Sequence, residues 1–424
     1  MQAATQPVTW VTHDGARVRT EIFTNDALYR AEQERIFLRA WLLLGHESQL
    51  AQPHSFFRTR MGEESVVVTR DETGALHAWV NLCRHRGFEV VQQDHGVCKR
   101  FQCPYHGWTY ASDGSLVGVP GLKQLYYDEL DRDAHGMHPV PRLETYKGLI
   151  FGSFDVDAPD LTTYLGRMAW YLDILLDRRA GGTELIGVQR WRVAANWKVV
   201  CENHSGDEYH IGFAHGSFFP PDVPNRAAPL EFAREIRPEV GHGLGVTIYP
   251  EAMPREQRAL AMSLGNPTVA DYLVCIDDEV VERLGAQRAR MHPIHGCVWP
   301  TFCMVPVFNS LRVIHPLGPR EVELWSYCLV DRDAPDGVKQ AYRAIATSTF
   351  GPAGSFEQDD ANNWAAITRN AARPFSQRTY LNLDMGLGHE EQLPGVPGEA
   401  GLTASEINQR GFYRRWSNEM FGDE

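Results

Sequence analysis

Cys83-Arg84-His85-Arg86-Gly87-Phe88 and Cys103-Pro104-Tyr105-His106-Gly107-Trp108 decide the reading of this chain, with seventeen residues between His85 and Cys103. Each stretch offers one thiolate and one imidazole. Two thiolates on one iron and two imidazoles on the other make the ligand set of a Rieske [2Fe–2S] centre. Neutral histidines in place of thiolates raise the reduction potential, which suits a cluster that takes electrons from a ferredoxin. Gly87, Pro104 and Gly107 allow the loops to close, and Trp108 is placed to shield what they hold. Structural Zn²⁺ also accepts two cysteines and two histidines. Zinc knuckles, however, usually run Cys-x₂-Cys or pair His with His, whereas here each loop carries one of each. The pattern favours the cluster.

Outward from these loops, the segment from Trp41 to Val156 alternates in short runs broken by turns. Ser65–Thr69, His77–Val80 and Gly148–Gly152 read as strands. Asp71-Glu72-Thr73-Gly74 and Ser112-Asp113-Gly114 read as turns with glycine at the left-handed position. A small all-β domain over 41–156 is expected around the metal. Before it, 21–41 carries helical spacing (Leu28, Tyr29, Ile36, Phe37, Trp41), so 1–40 is assigned as an N-terminal helical part of a second domain. After it, 157–424 mixes elements: a helix over Leu161–Asp177, a strand-like Trp191–Val200 and helical spacing over Glu202–Ala214. Strands follow at Met304–Val307, Leu311–His315 and Val322–Val330, then helices at Gly337–Thr347 and Phe356–Arg369, and a surface helix at Ser405–Phe421. The fold class is α+β: an all-β Rieske domain inserted into a catalytic domain whose antiparallel sheet is flanked by helices.

A second cluster of chemistry lies in Asn196–His210, with His215 beyond it. On a straight helix His210 and His215 would stand about 140° apart. They can share a metal only if the helix bends or ends between them, and Gly212 is available for that. Two histidines plus a carboxylate form the facial triad of a non-haem Fe(II) oxygenase, with positions left open for O₂. Asp359 and Asp360 are equally plausible carboxylates on chemistry, and an acidic pair at a helix start is also simply favourable there. Asp207, three residues before His210, is its neighbour on a helix and is suited to take the N–H of a metal-bound histidine; the plain alternative is a solvated helix acid.

The bulk numbers exclude other classes. With 41 basic and 54 acidic residues the net charge is −13, which argues against a nucleic-acid surface. The N-terminus, Met1-Gln2-Ala3-Ala4, shows no secretory pattern, and no apolar run is long enough for a membrane span. Eight cysteines in 424 residues are too sparse for a disulfide framework, so a reducing, cytoplasmic location is expected. No GxGxxG follows a strand, so the chain is not expected to bind nicotinamide itself.

These residues together resemble the large (α) subunits of Rieske non-haem iron aromatic ring-hydroxylating dioxygenases, in particular the biphenyl and naphthalene dioxygenase group. The likeness runs from Trp41-Leu42-Leu43-Leu44-Gly45-His46-Glu47 to Phe412-Tyr413-Arg414-Arg415-Trp416, and includes Thr349-Phe350-Gly351-Pro352-Ala353-Gly354 ahead of Asp359-Asp360. The resemblance implies that Cys83 and Cys103 hold the inner cluster iron and His85 and His106 the outer one. It implies His210, His215 and Asp360 as mononuclear Fe(II) ligands, and selects Asp360 over Asp359. Asp207 matches the acid that links one subunit's cluster to its neighbour's iron, which implies a head-to-tail α₃ trimer, usually α₃β₃ with a small β subunit. The implied reaction uses O₂ and electrons from NADH, passed through a reductase and ferredoxin, to place a cis-diol on an aromatic ring. A Rieske monooxygenase (a hydroxylase or demethylase) would use the same ligands; an electron carrier or zinc protein would have no use for the second triad. Arg84, Arg86, Lys99 and Arg100 either steer an acidic ferredoxin or brace the loops. One departure stands out: after Asn203 comes His204 where the hydrocarbon dioxygenases commonly have Phe. Either the substrate carries a polar group that His204 reads, or the ring is turned onto a backbone carbonyl. Ile211, Phe350 and Phe356 are the expected apolar wall.

Overall fold

The computed structural model describes residues 8–218 and 232–422. It forms two compact units, one of residues 37–164 and one made of the chain before and after them. At the start of the second unit, strand β1 (Arg17–Arg19) pairs antiparallel with Tyr380–Asn382, and helix α1 (Asp26–Glu32) follows. The helix expected over 21–41 is split. Asn25 caps α1, its side-chain oxygen accepting from the N–H groups of Ala27 and Leu28 at 2.9 and 3.1 Å, so the preceding residues form a separate 3₁₀ turn. A π turn over Gln33–Phe37 then ends the helix.

The unit of 37–164 is all-β in its framework. It contains β2 (Leu42–His46), β3 (Ser55–Met61), β4 (Glu64–Arg70), β5 (Leu76–Val80) and β6 (His95–Val97). The short β7 (Arg100–Gln102), β8 (Thr109–Ala111) and β9 (Leu116–Gly118) come next, then a one-turn helix α2 (Leu122–Leu125), β10 (Arg142–Tyr146) and β11 (Leu149–Ser153). They assemble as three sheets, ordered β5-β4-β3-β6, β7-β8-β9 and β10-β11-β2. Val66, Val67 and Val68 have no exposed surface, as a central strand covered on both faces requires. Phe56, Trp79 and Phe101 interlock edge to face at 5.3 and 5.4 Å beneath the two cysteine loops.

Where one helix is expected over 161–177 there are two, α3 (Leu161–Leu165) and α4 (Met168–Leu176), separated by Gly166 at φ +49°. The catalytic unit is then built on β12 (Thr183–Val193), β13 (Ala233–Glu239), β14 (His242–Ile248), β15 (Met291–Val298), β16 (Phe302–Val305), β17 (Ser310–Gly318) and β18 (Glu321–Asp331). After β19 (Tyr380–Asn382), β20 (Glu399–Leu402) completes an antiparallel sheet ordered β12-β18-β17-β16-β15-β14-β13-β20. Around it lie α5 (Trp197–Gly206), α6 (Ile211–Ala214), α7 (Arg255–Met262), α8 (Pro267–Leu284), α9 (Ala286–Ala289), α10 (Asp336–Phe350), α11 (Ser355–Ala371) and α12 (Ile407–Phe421).

Two expectations change here. Trp191–Val200 is not one strand: β12 ends at Val193, and Asn196 caps α5 by accepting from the N–H of Lys198 at 3.0 Å. The last helix is not a surface element, because Ile407, Phe412, Tyr413, Trp416 and Met420 are each at most 1% exposed. It packs on α5 around a buried ion pair. Lys198 Nζ lies 2.6 Å from Glu32 Oε1, both side chains wholly buried, and Glu32 also accepts from the indole N–H groups of Trp197 and Trp416, each at 2.8 Å.

Candidate active site and cluster loops

The two cysteine loops are built alike. In the first, the N–H of Cys83 donates to Phe88 O at 2.9 Å and that of Gly87 to Cys83 O at 2.8 Å; in the second, Cys103 N–H donates to Trp108 O at 2.8 Å and Gly107 N–H to Cys103 O at 2.9 Å. Gly87 and Gly107 take φ +73° and +76°, the left-handed conformation that lets each loop turn back on itself. The result places His85 and His106 with ring centroids 4.5 Å apart, and Trp108 stacks on His85 at 5.1 Å. Cys83 and Cys103 are buried. Tyr110, which sequence reasoning did not single out, reaches Cys83 Sγ with its hydroxyl at 3.3 Å and accepts from the N–H of Arg84 at 3.1 Å.

These four residues fit a Rieske cluster on their own chemistry. His85 Nδ1 is buried with no hydrogen-bond partner. Burial, with His106 and Arg86 adding their repulsion, lowers the His85 pKa and favours the neutral ring that ligates metal. Burial also pushes the Cys103 thiol up, with Cys83 beside it, so the pair lacks a positive charge that a metal would supply.

The second site forms where the chain breaks out of helix. Helical spacing over 202–214 holds only to Gly206; Asp207–His210 is a turn, and Ile211–Ala214 is a single helical turn flanked by His210 and His215. The interruption therefore falls before His210, and Gly212 sits inside α6 as an ordinary helical residue. The turn brings the two rings to one point. His210 Nε2 and His215 Nε2 are 3.1 Å apart, and Asp360 Oδ1, from the buried face of α11, is 3.2 Å from the first and 3.3 Å from the second. Metal–ligand bonds of about 2.1 Å at right angles put neighbouring donor atoms about 3.0 Å apart, so the three atoms have the spacing of one octahedral face.

Each ring is held from behind. His210 Nδ1 donates to the backbone carbonyl of Asp207 and lies 3.4 Å from that residue's carboxylate. His215 Nδ1 is 3.2 Å from Asp359 Oδ2. The two adjacent acids thus divide their work: Asp360 faces the Nε2 atoms and Asp359 the far side of His215, which fixes each ring with its Nε2 lone pair forward. Burial opposes the charge on Asp360, but the His210 and His215 imidazoles beside it outweigh that and hold the carboxyl below its usual range. Asp207 is half-buried and is steadied by Asn203, whose amide N–H donates to it at 3.0 Å while the Trp364 indole donates to Asn203 Oδ1 at 3.1 Å.

Beside the triad stands an aromatic wall. Phe356 meets His215 edge to face at 4.6 Å and stacks on Phe350 at 5.6 Å; Phe308 contacts both, at 5.2 and 5.1 Å, and Val305 completes the cluster. Ile211 opens α6, half-buried between the two histidines. Phe308 was missed because it lies in a 3₁₀ turn, outside any period. His204 is buried with both nitrogens engaged: Nδ1 is 2.8 Å from Val200 O and Nε2 is 2.8 Å from Arg312 Nη1. A carbonyl only accepts and a guanidinium only donates, so the ring is the neutral tautomer with its proton on Nδ1. Burial lowers its pKa, in keeping with that. Arg312 in turn pairs with Glu357, which accepts from the Trp191 indole at 3.0 Å. A fully buried arginine inside the apolar run Leu311–Ile314 is the signal that would have found this network.

Comparison with known proteins finds two family domains along the chain. The family model for the Rieske [2Fe-2S] domain matches residues 40–146, and the model for the ring-hydroxylating alpha subunit (catalytic domain) matches 161–420. The chain is 37% identical to the biphenyl 2,3-dioxygenase subunit alpha of Rhodococcus jostii (strain RHA1), over 95% of this chain and 89% of that one. It is also 37% identical to a benzene 1,2-dioxygenase subunit alpha of Pseudomonas putida, over 95% and 91%. In structure it resembles naphthalene 1,2-dioxygenase from Rhodococcus sp., solved with indole bound, at TM-score 0.86 and 37% identity over 96% and 95% of the two chains.

Proposed function

The chain belongs to the ring-hydroxylating dioxygenase alpha subunits, oxidoreductases that carry a Rieske [2Fe–2S] cluster and a mononuclear iron, and on that premise we propose how its own residues serve the reaction. Cys83 and Cys103 hold the inner iron of the cluster, and His85 and His106 the outer one. His210, His215 and Asp360 hold the mononuclear iron. The observation that carries this is the convergence of His210 Nε2, His215 Nε2 and Asp360 Oδ1 at 3.1 to 3.3 Å, with both Nδ1 atoms turned to oxygen acceptors. Bound there, the iron supplies the redox chemistry by which O₂ reacts with an aromatic ring.

The surrounding residues orient and exclude. Phe350, Phe356 and Phe308 offer flat apolar surface to an aromatic ring and keep water from it. Ile211 adds to that wall, while Asn203 and His204 line it from the end of α5, His204 presenting ring carbons because its nitrogens are occupied. Asp207, held by Asn203, is the bridge through which electrons arrive from the cluster of a neighbouring subunit in a head-to-tail trimer. The substrate is a one- or two-ring aromatic compound, as the names of the biphenyl and benzene relatives lead us to infer. A ferredoxin and an NADH-dependent reductase supply electrons, a small β subunit completes α₃β₃, and the assembly works in the cytoplasm.

The test is product analysis from cells expressing the chain with a β subunit and a ferredoxin–reductase pair, offered benzene, biphenyl, naphthalene and ring carboxylates under ¹⁸O₂. cis-Diols with both oxygens labelled are expected. Singly labelled phenols or dealkylated products would move the enzyme to monooxygenation with the same ligands.

A further inference from the structure

Outside the iron triad, the catalytic unit brings together a second set of metal-ligating side chains. Glu208 comes from the turn after α5, Glu235 from β13 and His295 from β15, and one donor atom of each lies within 4.8 Å of the other two. His295 Nε2 is 3.3 Å from Glu208 Oε1 and 3.4 Å from Glu235 Oε1, and the two carboxylate side chains are 3% and 0% exposed. None of these three atoms has a hydrogen-bond partner, nor has Glu208 Oε2. Two buried carboxylates facing one ring need a positive charge between them: without a metal, Glu235 and Glu208 overcome the burial of His295 and push its pKa up to about 10, and a metal ion would take the place of that proton.

The supports point to a metal. His295 Nδ1 lies 3.0 Å from the carbonyl oxygen of His204, which can only accept, so Nδ1 carries a proton and Nε2 is the nitrogen that faces the two carboxylates. That is the posture of a metal-bound histidine, whose far N–H is anchored to a carbonyl. Glu235 is anchored likewise, its other oxygen accepting from Asn408 Nδ2 at 2.7 Å. Bonds of about 2.0–2.2 Å at tetrahedral angles place ligand atoms about 3.3–3.6 Å apart, which matches the 3.3 and 3.4 Å from His295 Nε2 to the two carboxylate oxygens. The gap is also guarded by a residue without a side chain: a Cβ on Gly245 would stand 2.4 Å from His295 Nε2 and 3.0 Å from Glu208 Oε1.

We propose that Glu208, Glu235 and His295 form a separate structural site for a divalent transition-metal ion of the zinc type. One imidazole with two carboxylates suits Zn²⁺ better than Ca²⁺ or Mg²⁺, which prefer oxygen alone. The ion would tie the turn that carries His210 to β13 and β15.

The test is elemental analysis of the purified holoenzyme, grown with Zn²⁺ and washed with a mild chelator. Beyond the iron of the cluster and triad, roughly one Zn²⁺ per chain is expected. Glu235→Gln and Gly245→Ala should each lower retained Zn²⁺ by about tenfold or more while iron content and cluster absorption stay unchanged. Asp360→Ala, which disables the triad, should keep the Zn²⁺. Wild-type protein that holds no metal besides iron overturns the proposal, as does Zn²⁺ that leaves with Asp360→Ala or survives both other substitutions. Because the wild-type measurement needs no variant, a substitution that fails to fold does not rescue the idea.

Discussion

His204 Nδ1–H donates to Val200 O and Nε2 accepts from the Arg312 guanidinium, so no ring nitrogen is left for a substrate. His204→Phe should therefore leave the ranking of aromatic substrates unchanged. It strands a buried guanidinium N–H and so should destabilise the enzyme by about 1–3 kcal/mol, seen as a lower thermal midpoint. A shift toward plain hydrocarbons would instead mean that His204 reads the substrate. For Asp207→Asn, the backbone carbonyl that orients His210 Nδ1 survives. Iron should stay bound while turnover falls at least about tenfold, measured by iron analysis beside oxygen uptake; loss of iron would reduce Asp207 to a brace. At this scale the sequence was legible wherever chemistry restricts the residue type, as at Cys83, His85, Cys103 and His106. It was ambiguous where two neighbours share that chemistry. Asp359 and Asp360 are separable only by which side of the histidines each faces, and no local pattern records that.

The break between α5 and α6 makes His210 and His215 convergent, and helical spacing over 202–214 misplaces it: α5 ends at Gly206 with Asp207 as its cap, ahead of Gly212. A one-turn helix has little stability of its own. Removing iron from the holoenzyme should accordingly raise amide hydrogen exchange across 207–215 while β15–β18 stay protected; uniform protection would show that the turn stands without metal. Beneath it, Lys198 and Glu32 tie α1, α5 and α12 in a wholly buried pair. Lys198→Met leaves Glu32 with two indole donors but no countercharge, and should cost about 3–5 kcal/mol, read as lowered resistance to denaturant; adding Glu32→Gln should recover part of it. Strand periods were readable because one face or both are apolar. α12 was not, since it mixes Asn408, Gln409 and Arg410 with Phe412, Tyr413 and Trp416, all six buried, and polarity there reports internal hydrogen bonds rather than solvent.

Over the whole molecule the charge is −13, yet the cluster loops carry Arg86, Lys99 and Arg100 on the surface beside exposed Leu82, Phe88 and Tyr105. Arg84 does not belong with them, because its guanidinium is engaged with Gly136 O at 3.0 Å. A basic rim around an apolar centre fits an acidic ferredoxin. Raising ionic strength should increase the ferredoxin concentration needed for half-maximal turnover, and Arg86→Ala should flatten that dependence; turnover indifferent to salt would remove the docking role. The two-unit plan was legible from the change of period near Trp41 and again after 156, but the sheet order was not, because it rests on pairings as distant as Arg234 with Leu402.

The catalytic sheet ends on β12, eleven residues that pair only with β18 among the described strands. A long open edge is a template for stacking one newly made chain on another. Here a register shift between Leu185 and Val188 bends the strand, and Glu184 and Arg192 set charge along it. A chain that must wait for its iron before it is of use can therefore wait dispersed, and recombinant yields should suffer more from valines at 184 and 192 than from equal changes inside the sheet.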